Sequence, residues 1–266
     1  MKLQKLGILL FTLIFIPIHA VNAQSLCGIP LPPAEPRVGN WCSQGWVNYF
    51  WDAYDFDKSD WDNGFGFTNA CDRRRPLGRT FNAIYVLNYA DGPGGKSRND
   101  YSGSILHWGG NYSMREIDEL DASCETNARA STRWGFLIDN YTRLKRPFFY
   151  SENVVERAAT ILHEARHADW CGHNGNDGSN RCSARSDSCD ESFTNGCGGV
   201  GSPSGRGAVG YQAVWLWWFT FSADTITGTP TRRQFARDEA NRIFNTMFDI
   251  NPCINITSSG NSVSTC

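Results

Sequence analysis

The sequence predicts an α+β fold held by disulfides, in which a histidine-bearing helix packs on a small sheet and on further helices toward the C-terminus. Three kinds of observation predict it. Two segments are dense in β-branched and aromatic residues, as strands are, and three later segments have the apolar spacing or the capping residues of helices. The 10 cysteines all follow an N-terminal apolar segment, and an even number of cysteines in an exported chain indicates a disulfide framework.

Residues 1–23 have the organisation of a signal peptide. Two lysines open the segment, an apolar run extends from Leu6 to Ile18, and Val21-Asn22-Ala23 matches the small-x-Ala cleavage pattern. The mature chain is therefore expected to begin at Gln24. Because the apolar run is too short to cross a bilayer, we predict a secreted or periplasmic protein with no membrane span after signal removal.

Composition bounds the size and the partners of the mature protein. About 240 residues are enough for a sizeable core. We divide them into an aromatic, loop-rich extension over 24–75 and a main domain over 76–266. The formal net charge of -2 creates no field that attracts nucleic acid, so no nucleic-acid partner is expected. The sequence does not predict an oligomeric state.

The first half of the main domain is predicted to contain the strands. The segment 79–89 and the segment 104–108 have the residue types of strands, and 113–145 mixes helical and extended pieces. Upstream, 46–51 fits a short helix or a strand equally well. The acidic stretch 55–64 resembles a calcium loop, but the glycine and the closing glutamate of an EF-hand are absent, which favours a solvated turn.

Three helices are predicted in the second half. The first opens with Ser151 as N-cap and Glu152 in its first turn. The segment 205–221 is too short and too rich in tryptophan for a membrane span, and is expected to be a buried helix packed on the first. Thr229 followed by proline predicts the N-terminus of the last helix, which Pro252 ends.

The first of these helices carries His163-Glu164-x-x-His167. Two histidines four residues apart lie on one helical face, so that both imidazoles reach one metal ion. A glutamate next to the first ligand is placed to accept a proton from water at the metal. The pattern predicts a zinc site with Glu164 as the catalytic base. A helix with two merely structural histidines is the alternative.

The motif resembles that of the zincin metallopeptidases, and His173 stands where the metzincin branch has its third histidine ligand. The resemblance implies a zincin-like fold over 76–266 with zinc bound by His163, His167 and His173. The sequence departs from the metzincin pattern at two points. Trp170 replaces the metzincin glycine, and Met247, inside a predicted helix, is no counterpart of the Met-turn.

A carboxylate is the alternative third ligand, as in zincins that use a downstream acid. The candidates are Asp187, Asp190 and Glu191, while Asp169 has the character of a residue that orients a ligand histidine. The remaining mature histidine, His107, is expected to be structural.

The sequence therefore predicts an exported zinc metallopeptidase acting on proteins or peptides. Zinc lowers the pKa of its water, and Glu164 takes the proton and passes it to the leaving nitrogen. Tyr211 and Arg166 are conceivable oxyanion donors, although Arg166 better fits a role in clamping the core or in solvent. A zinc amidase acting on peptidoglycan or glycopeptide is one alternative. A non-catalytic, tryptophan-rich binding module for carbohydrate or protein is another.

Two further features lie beside the motif. Four cysteines between 171 and 197 are expected to hold an irregular loop against the site, with a pairing that spacing does not fix. Asn174 to Asn180 fits a tight turn or a structural calcium site. The sequence does not decide whether a pro-segment follows Gln24. Cys27 is expected to form a disulfide bridge rather than to block zinc.

Overall fold

The described part of the chain mixes helices with three small sheets and is cross-linked by disulfides, which confirms the α+β class. The computed structural model describes 25–62, 64–92, 105–135, 138–168, 208–246, 254–256 and 263–265. The segment predicted to be an N-terminal extension contributes Trp41 and Trp61 to the same buried cluster as the later helices.

A hairpin begins the described chain. Strands β1 (Ser25–Leu26) and β2 (Ile29–Pro30) are antiparallel and are joined by Cys27 and Gly28. Both turn residues have positive φ angles, 55° and 77°, as the tight turns that match strand twist require. Cys27 is bonded to Cys124, so this hairpin is covalently attached to the middle of the chain.

The aromatic N-terminal segment forms helix α1 (Gln44–Ala53) and a 3-10 turn (Phe67–Asn69), which decides the open choice at 46–51 in favour of helix. The second bridge, Cys42–Cys71, connects the two ends of this region. Trp61 is fully buried, and its indole Nε1 donates a hydrogen bond to the carbonyl oxygen of Leu120 at 2.5 Å.

Asn82 is a buried hydrogen-bonding centre for the segment before α1. Its Oδ1 accepts from the Val38 amide and from the Trp41 indole, and its Nδ2 donates to Glu35 Oε1 and to the Pro36 carbonyl. All four bonds run to residues 41 to 47 positions earlier in the chain. Buried amides are stable only when their donors and acceptors are paired, so this segment is part of the core.

Glu35 forms ion pairs that also attach the segment before α1 to the core. Its carboxylate pairs with Arg157, whose side chain is fully buried, and lies 3.6 Å from Arg79 Nη1. Removing one partner from a buried ion pair costs about 3 to 5 kcal/mol, because an uncompensated charge is left inside the protein.

Helices α2 (Pro76–Tyr89) and α3 (Ile105–Glu116) occupy the regions where strands were predicted. The strand predictions at 79–89 and 104–108 are wrong. Nearly every residue of α2 is buried, so it lacks the polar face that marks an amphipathic helix in sequence. Pro76, at its first position, is the signal that identifies its start.

The main sheet has three strands: β3 (Leu120–Ala122), β4 (Ala130–Gly135) and β5 (Ile138–Leu144). Their order is β3-β5-β4, with β3 parallel and β4 antiparallel to the central β5. Strand β4 is therefore an edge strand, and it packs against the helix that carries the histidines.

That helix begins later than predicted. Ser151 ends a short helix, α4 (Arg146–Ser151), and the histidine-bearing helix is α5 (Val154–Ala168). Its N-cap is Asn153, whose Oδ1 accepts from the amides of Val155 and Glu156 at 2.9 and 3.1 Å. The prediction of Ser151 as cap is wrong because the chain turns at Glu152 between two helices.

The last two helices were predicted correctly in type and place. Helix α6 (Ala208–Ser222) is buried and packs on α5, and α7 (Pro230–Thr246) follows the Thr229 cap. Short strands β6 (Ile254–Ile256) and β7 (Val263–Thr265) pair antiparallel after α7. Among the described helices, none is long and apolar enough to span a bilayer.

Candidate metal centre

Helix α5 lies at the centre of the fold, in contact with α2, α3, α6 and β4. Its apolar stripe, which includes Val155, Ala158, Ile161, Leu162 and Ala165, is fully buried. The two motif histidines lie beside this stripe and are half-buried. The helix thus presents both imidazoles at the border of the core, where solvent reaches them.

The two imidazoles converge. The Nε2 atoms of His163 and His167 are 3.1 Å apart, and the rings are nearly perpendicular at 82°. Two nitrogens bound to one tetrahedral zinc at roughly 2.0–2.1 Å are roughly 3.3 Å apart. The observed spacing is close to this value, and it also fits a hydrogen bond between the two rings.

Gln212 of α6 sets the tautomer of His163. The Gln212 Oε1 atom lies 3.1 Å from His163 Nδ1, and an amide oxygen only accepts hydrogen bonds. A hydrogen on Nδ1 satisfies this contact, and a neutral ring then carries its lone pair on Nε2, toward His167. Metal-binding histidines are commonly oriented in this way by a second hydrogen bond.

Glu164 is buried and held against the edge strand. Its Oε2 accepts a hydrogen bond from Thr132 Oγ1 at 2.8 Å, and Thr132 Oγ1 lies 2.9 Å from Thr142 Oγ1 on the neighbouring strand. Burial raises the pKa of the Glu164 carboxyl, while His167 and the Thr132 hydrogen bond act in the opposite direction. A carboxylate oxygen of Glu164 and a nitrogen of each histidine lie within 4.8 Å of one another.

A cavity of about 240 Å³ opens beside this group. Its walls come from α5, α6, α7 and the start of β4. The lining residues are Arg129, Ala130, Thr160, His163, Glu164, Val209, Gln212, Arg242 and Ile243. The cavity gives a small ligand access to one histidine and to the candidate base.

The comparisons with known proteins identify no relative. No family matches this chain. No curated protein and no solved structure matches it either. The chemistry of the site must therefore be inferred from its own residues.

The other predicted ligands lie outside the described residues. This applies to His173, to the alternative acids Asp187, Asp190 and Glu191, and to the orienting candidate Asp169. The predicted calcium turn at 174–180 and the cysteines between 171 and 197 lie there as well. These assignments stay predictions.

The two conceivable oxyanion donors contact each other. The Arg166 guanidinium lies over the Tyr211 ring, 4.8 Å from its centroid, and Arg166 is buried. This agrees with the expected clamping role of Arg166, because the cation–π contact joins α5 to α6. His107 pairs with Asp91 at 3.0 Å and does not line the cavity, which agrees with a structural role.

A second group of acids involves the acidic turn. Asp57 accepts a hydrogen bond from the Ser59 amide within this turn, whereas Asp60 lies near Glu119 and Asp121 of the sheet region. Burial, followed by repulsion from Asp121, raises the pKa of Glu119 to about 7. Arg143, at 3.2 Å from Asp121, supplies the compensating charge.

Sequence reasoning missed the residues that support the site from other elements. Thr132 and Gln212 lie 32 and 49 positions from the residues they contact, and the arginines of the cavity come from the residue before β4 and from α7. The only available signals were a threonine on a predicted extended segment and a glutamine inside an otherwise apolar helix.

Proposed function

We propose that this protein is an exported zinc metallopeptidase with a zincin-like fold, which hydrolyses peptide bonds with Glu164 as general base. The observation that carries the proposal is the 3.1 Å approach of the two Nε2 atoms beside a buried carboxylate and a ligand-sized cavity. A shared cation would give two half-buried histidines a reason to direct the same ring nitrogen at each other.

The donor set is that of a hydrolytic zinc site. His163 and His167 supply two nitrogens, and His173 is the proposed third ligand, with Asp187, Asp190 or Glu191 as the alternatives. Zinc, when bound, supplies Lewis acidity that activates water and polarises the substrate carbonyl. Through its contact with Nδ1, Gln212 would leave the His163 lone pair on Nε2, where it could bind a metal ion.

The protein's own residues account for the proton path. Glu164 accepts one proton from the attacking water as the oxygen–carbon bond forms. The same carboxyl then donates this proton to the leaving nitrogen as the carbon–nitrogen bond breaks. Thr132 holds Oε2 in place from the edge strand, so the carboxylate meets the reacting water in a fixed orientation.

The sugar-binding alternative gains little support from the described tryptophans. Trp41, Trp61 and Trp215 are fully buried, and the other tryptophans with described side chains pack against the core. A stacking surface for carbohydrate needs exposed rings. The two described disulfides are typical of proteins in oxidising compartments and so support export.

The test compares zinc content and hydrolysis in the mature protein and two variants. We expect about one zinc per chain, and cleavage of casein or of a quenched peptide that a chelator abolishes. Glu164→Gln should keep the zinc and lose at least about 100-fold in kcat, the contribution expected of a general base. His163→Ala should lose the zinc as well.

Two outcomes contradict this proposal. One is a purified mature protein that binds no zinc at stoichiometric level when the metal is supplied. The other is full activity in Glu164→Gln. Release of peptides from cell walls without cleavage of casein assigns the protein to the amidase alternative instead.

A further inference from the structure

We propose that the cavity beside the two imidazoles binds a carboxylate of the substrate through Arg129 and Arg242. The carboxylate belongs to an acidic side chain or to the C-terminus of a peptide. The inference deepens the proposed function and rests on it for the identity of the ligand as a peptide. It adds a specificity site that the zinc motif does not imply.

The two arginines line the same cavity as His163 and Glu164. Arg129 precedes β4, and Arg242 lies in the last turns of α7, while His163 and Glu164 come from α5. All four line the same space of about 240 Å³. A group bound to either guanidinium is therefore held beside the atoms that carry out hydrolysis, as a specificity pocket requires.

Acidic side chains form ion pairs with both guanidinium groups and fix their positions. Arg129 Nε lies 3.0 Å from Glu152, and its Nη2 lies 3.0 Å from Glu156. Arg242 forms a two-pronged pair with Glu239, at 2.7 and 2.6 Å. An arginine fixed in this way loses less side-chain entropy when it binds a further anion.

Solvent exposure shows which charge meets a ligand. The arginine side chains are 49% and 50% exposed, whereas those of Glu152, Glu156 and Glu239 are 1%, 12% and 11% exposed. None of the three carboxylates lines the cavity. An incoming group that reaches the arginines thus meets guanidinium rather than their paired carboxylates, which favours an anion there; Glu164 is the carboxylate of the cavity lining.

The protonation of Glu152 strengthens this preference. Burial, with added repulsion from Glu156, raises the pKa of Glu152 to about 8, so near neutral pH its carboxyl is mostly protonated. Among the described residues that pair with the two arginines, Glu156 and Glu239 then supply the negative charge. A carboxylate ligand adds charge-assisted hydrogen bonds to guanidinium N–H groups, and bonds of this kind are stronger than neutral ones.

Binding to metal-free protein tests the inference without turnover. The probe is a fluorescent peptide with a glutamate beside the intended scissile bond, compared by anisotropy with peptides carrying glutamine or lysine there. A second pair compares a free C-terminus with an amidated one, which identifies the source of the carboxylate. Metal-free protein is used because a carboxylate also binds zinc directly.

We expect one of the two carboxylates to tighten binding at least about 10-fold over its uncharged analogue, because charge-assisted hydrogen bonds are stronger than neutral ones. Arg242→Gln and Arg129→Gln should each remove most of this difference. Arg242→Lys keeps the charge but not the fork and should recover part of it. Arg237→Gln, on the same helix and outside the cavity lining, is the matched control and should bind as wild type does.

Equal affinities of wild type for acidic and uncharged peptides overturn the inference. So does a preference that survives both arginine substitutions. In either case, zinc-dependent hydrolysis by the metal-loaded protein still supports the proposed function. Conversely, arginine-dependent carboxylate binding without any zinc binding supports the anion site and contradicts the peptidase.

Discussion

Glu152 makes the stability of the protein depend on pH, and its replacement by glutamine should remove much of that dependence. The carboxyl is 1% exposed and touches Thr160 and Arg129. Its pKa is raised from 4.5 to about 8, chiefly by burial. Between these two values the folded protein keeps a proton that the unfolded chain has released. Stability therefore falls as pH rises from about 4.5 to about 8, and is level beyond that range.

The magnitude follows from the two pKa values. One pKa unit corresponds to about 1.4 kcal/mol, so the full difference between 4.5 and about 8 corresponds to about 5 kcal/mol. We expect wild type to lose about 3 to 5 kcal/mol more than Glu152→Gln between pH 4 and pH 9. The variant keeps the shape of the side chain and an oxygen that accepts from Arg129, but has no proton to lose.

Urea unfolding at pH 4, 6 and 9, in the presence of a chelator, measures this difference. Glu119 and Glu164 titrate in both proteins, so the subtraction of one curve from the other isolates Glu152. Glu125→Gln is the matched control, because Glu125 is exposed at the surface and pairs with Lys145. Parallel pH curves for wild type and Glu152→Gln would refute the reasoning.

Two further predictions concern the support of the metal site and the packing around it. Gln212→Ala should weaken zinc binding about 10- to 100-fold in a chelator competition, because His163 loses the partner that fixes its tautomer, and an unchanged affinity contradicts that role. Gly109→Ala should lower stability by about 1 to 3 kcal/mol in thermal unfolding, because the added Cβ lies 2.8 Å from Trp215 Cδ1. Gly45→Ala in α1, where a Cβ meets nothing within 4 Å, is its control and should be neutral or stabilising.

The sequence predicts those helices well that carry a polar face or clear end signals. Helix α7 has both a capping threonine and a proline at its first position, and α5 has an unbroken stripe of apolar residues. Helix α2 fails because it is buried on almost all sides, so its residues show neither a period of 3.6 nor one of 2. Its β-branched and aromatic residues then imitate a strand.

The same distinction applies to the candidate site, where the motif residues could be predicted and their tertiary partners could not. The motif residues are local in sequence, and their convergence follows from helix geometry alone. The partners that orient them come from tertiary contacts: Thr132 faces Glu164 because β4 is the edge strand against α5, and Gln212 faces His163 because α6 crosses the same helix. Neither contact follows from spacing, since each depends on how the sheet and the helices pack.

The attachment of the N-terminal segment by Asn82 and Glu35 limits how far the N-terminus can be trimmed without loss of the fold. Excision of residues 33–41 here would leave a solvent-free guanidinium at Arg157 and a solvent-free amide at Asn82 without their partners. Trimming from the N-terminus that leaves the fold intact therefore ends before Pro33.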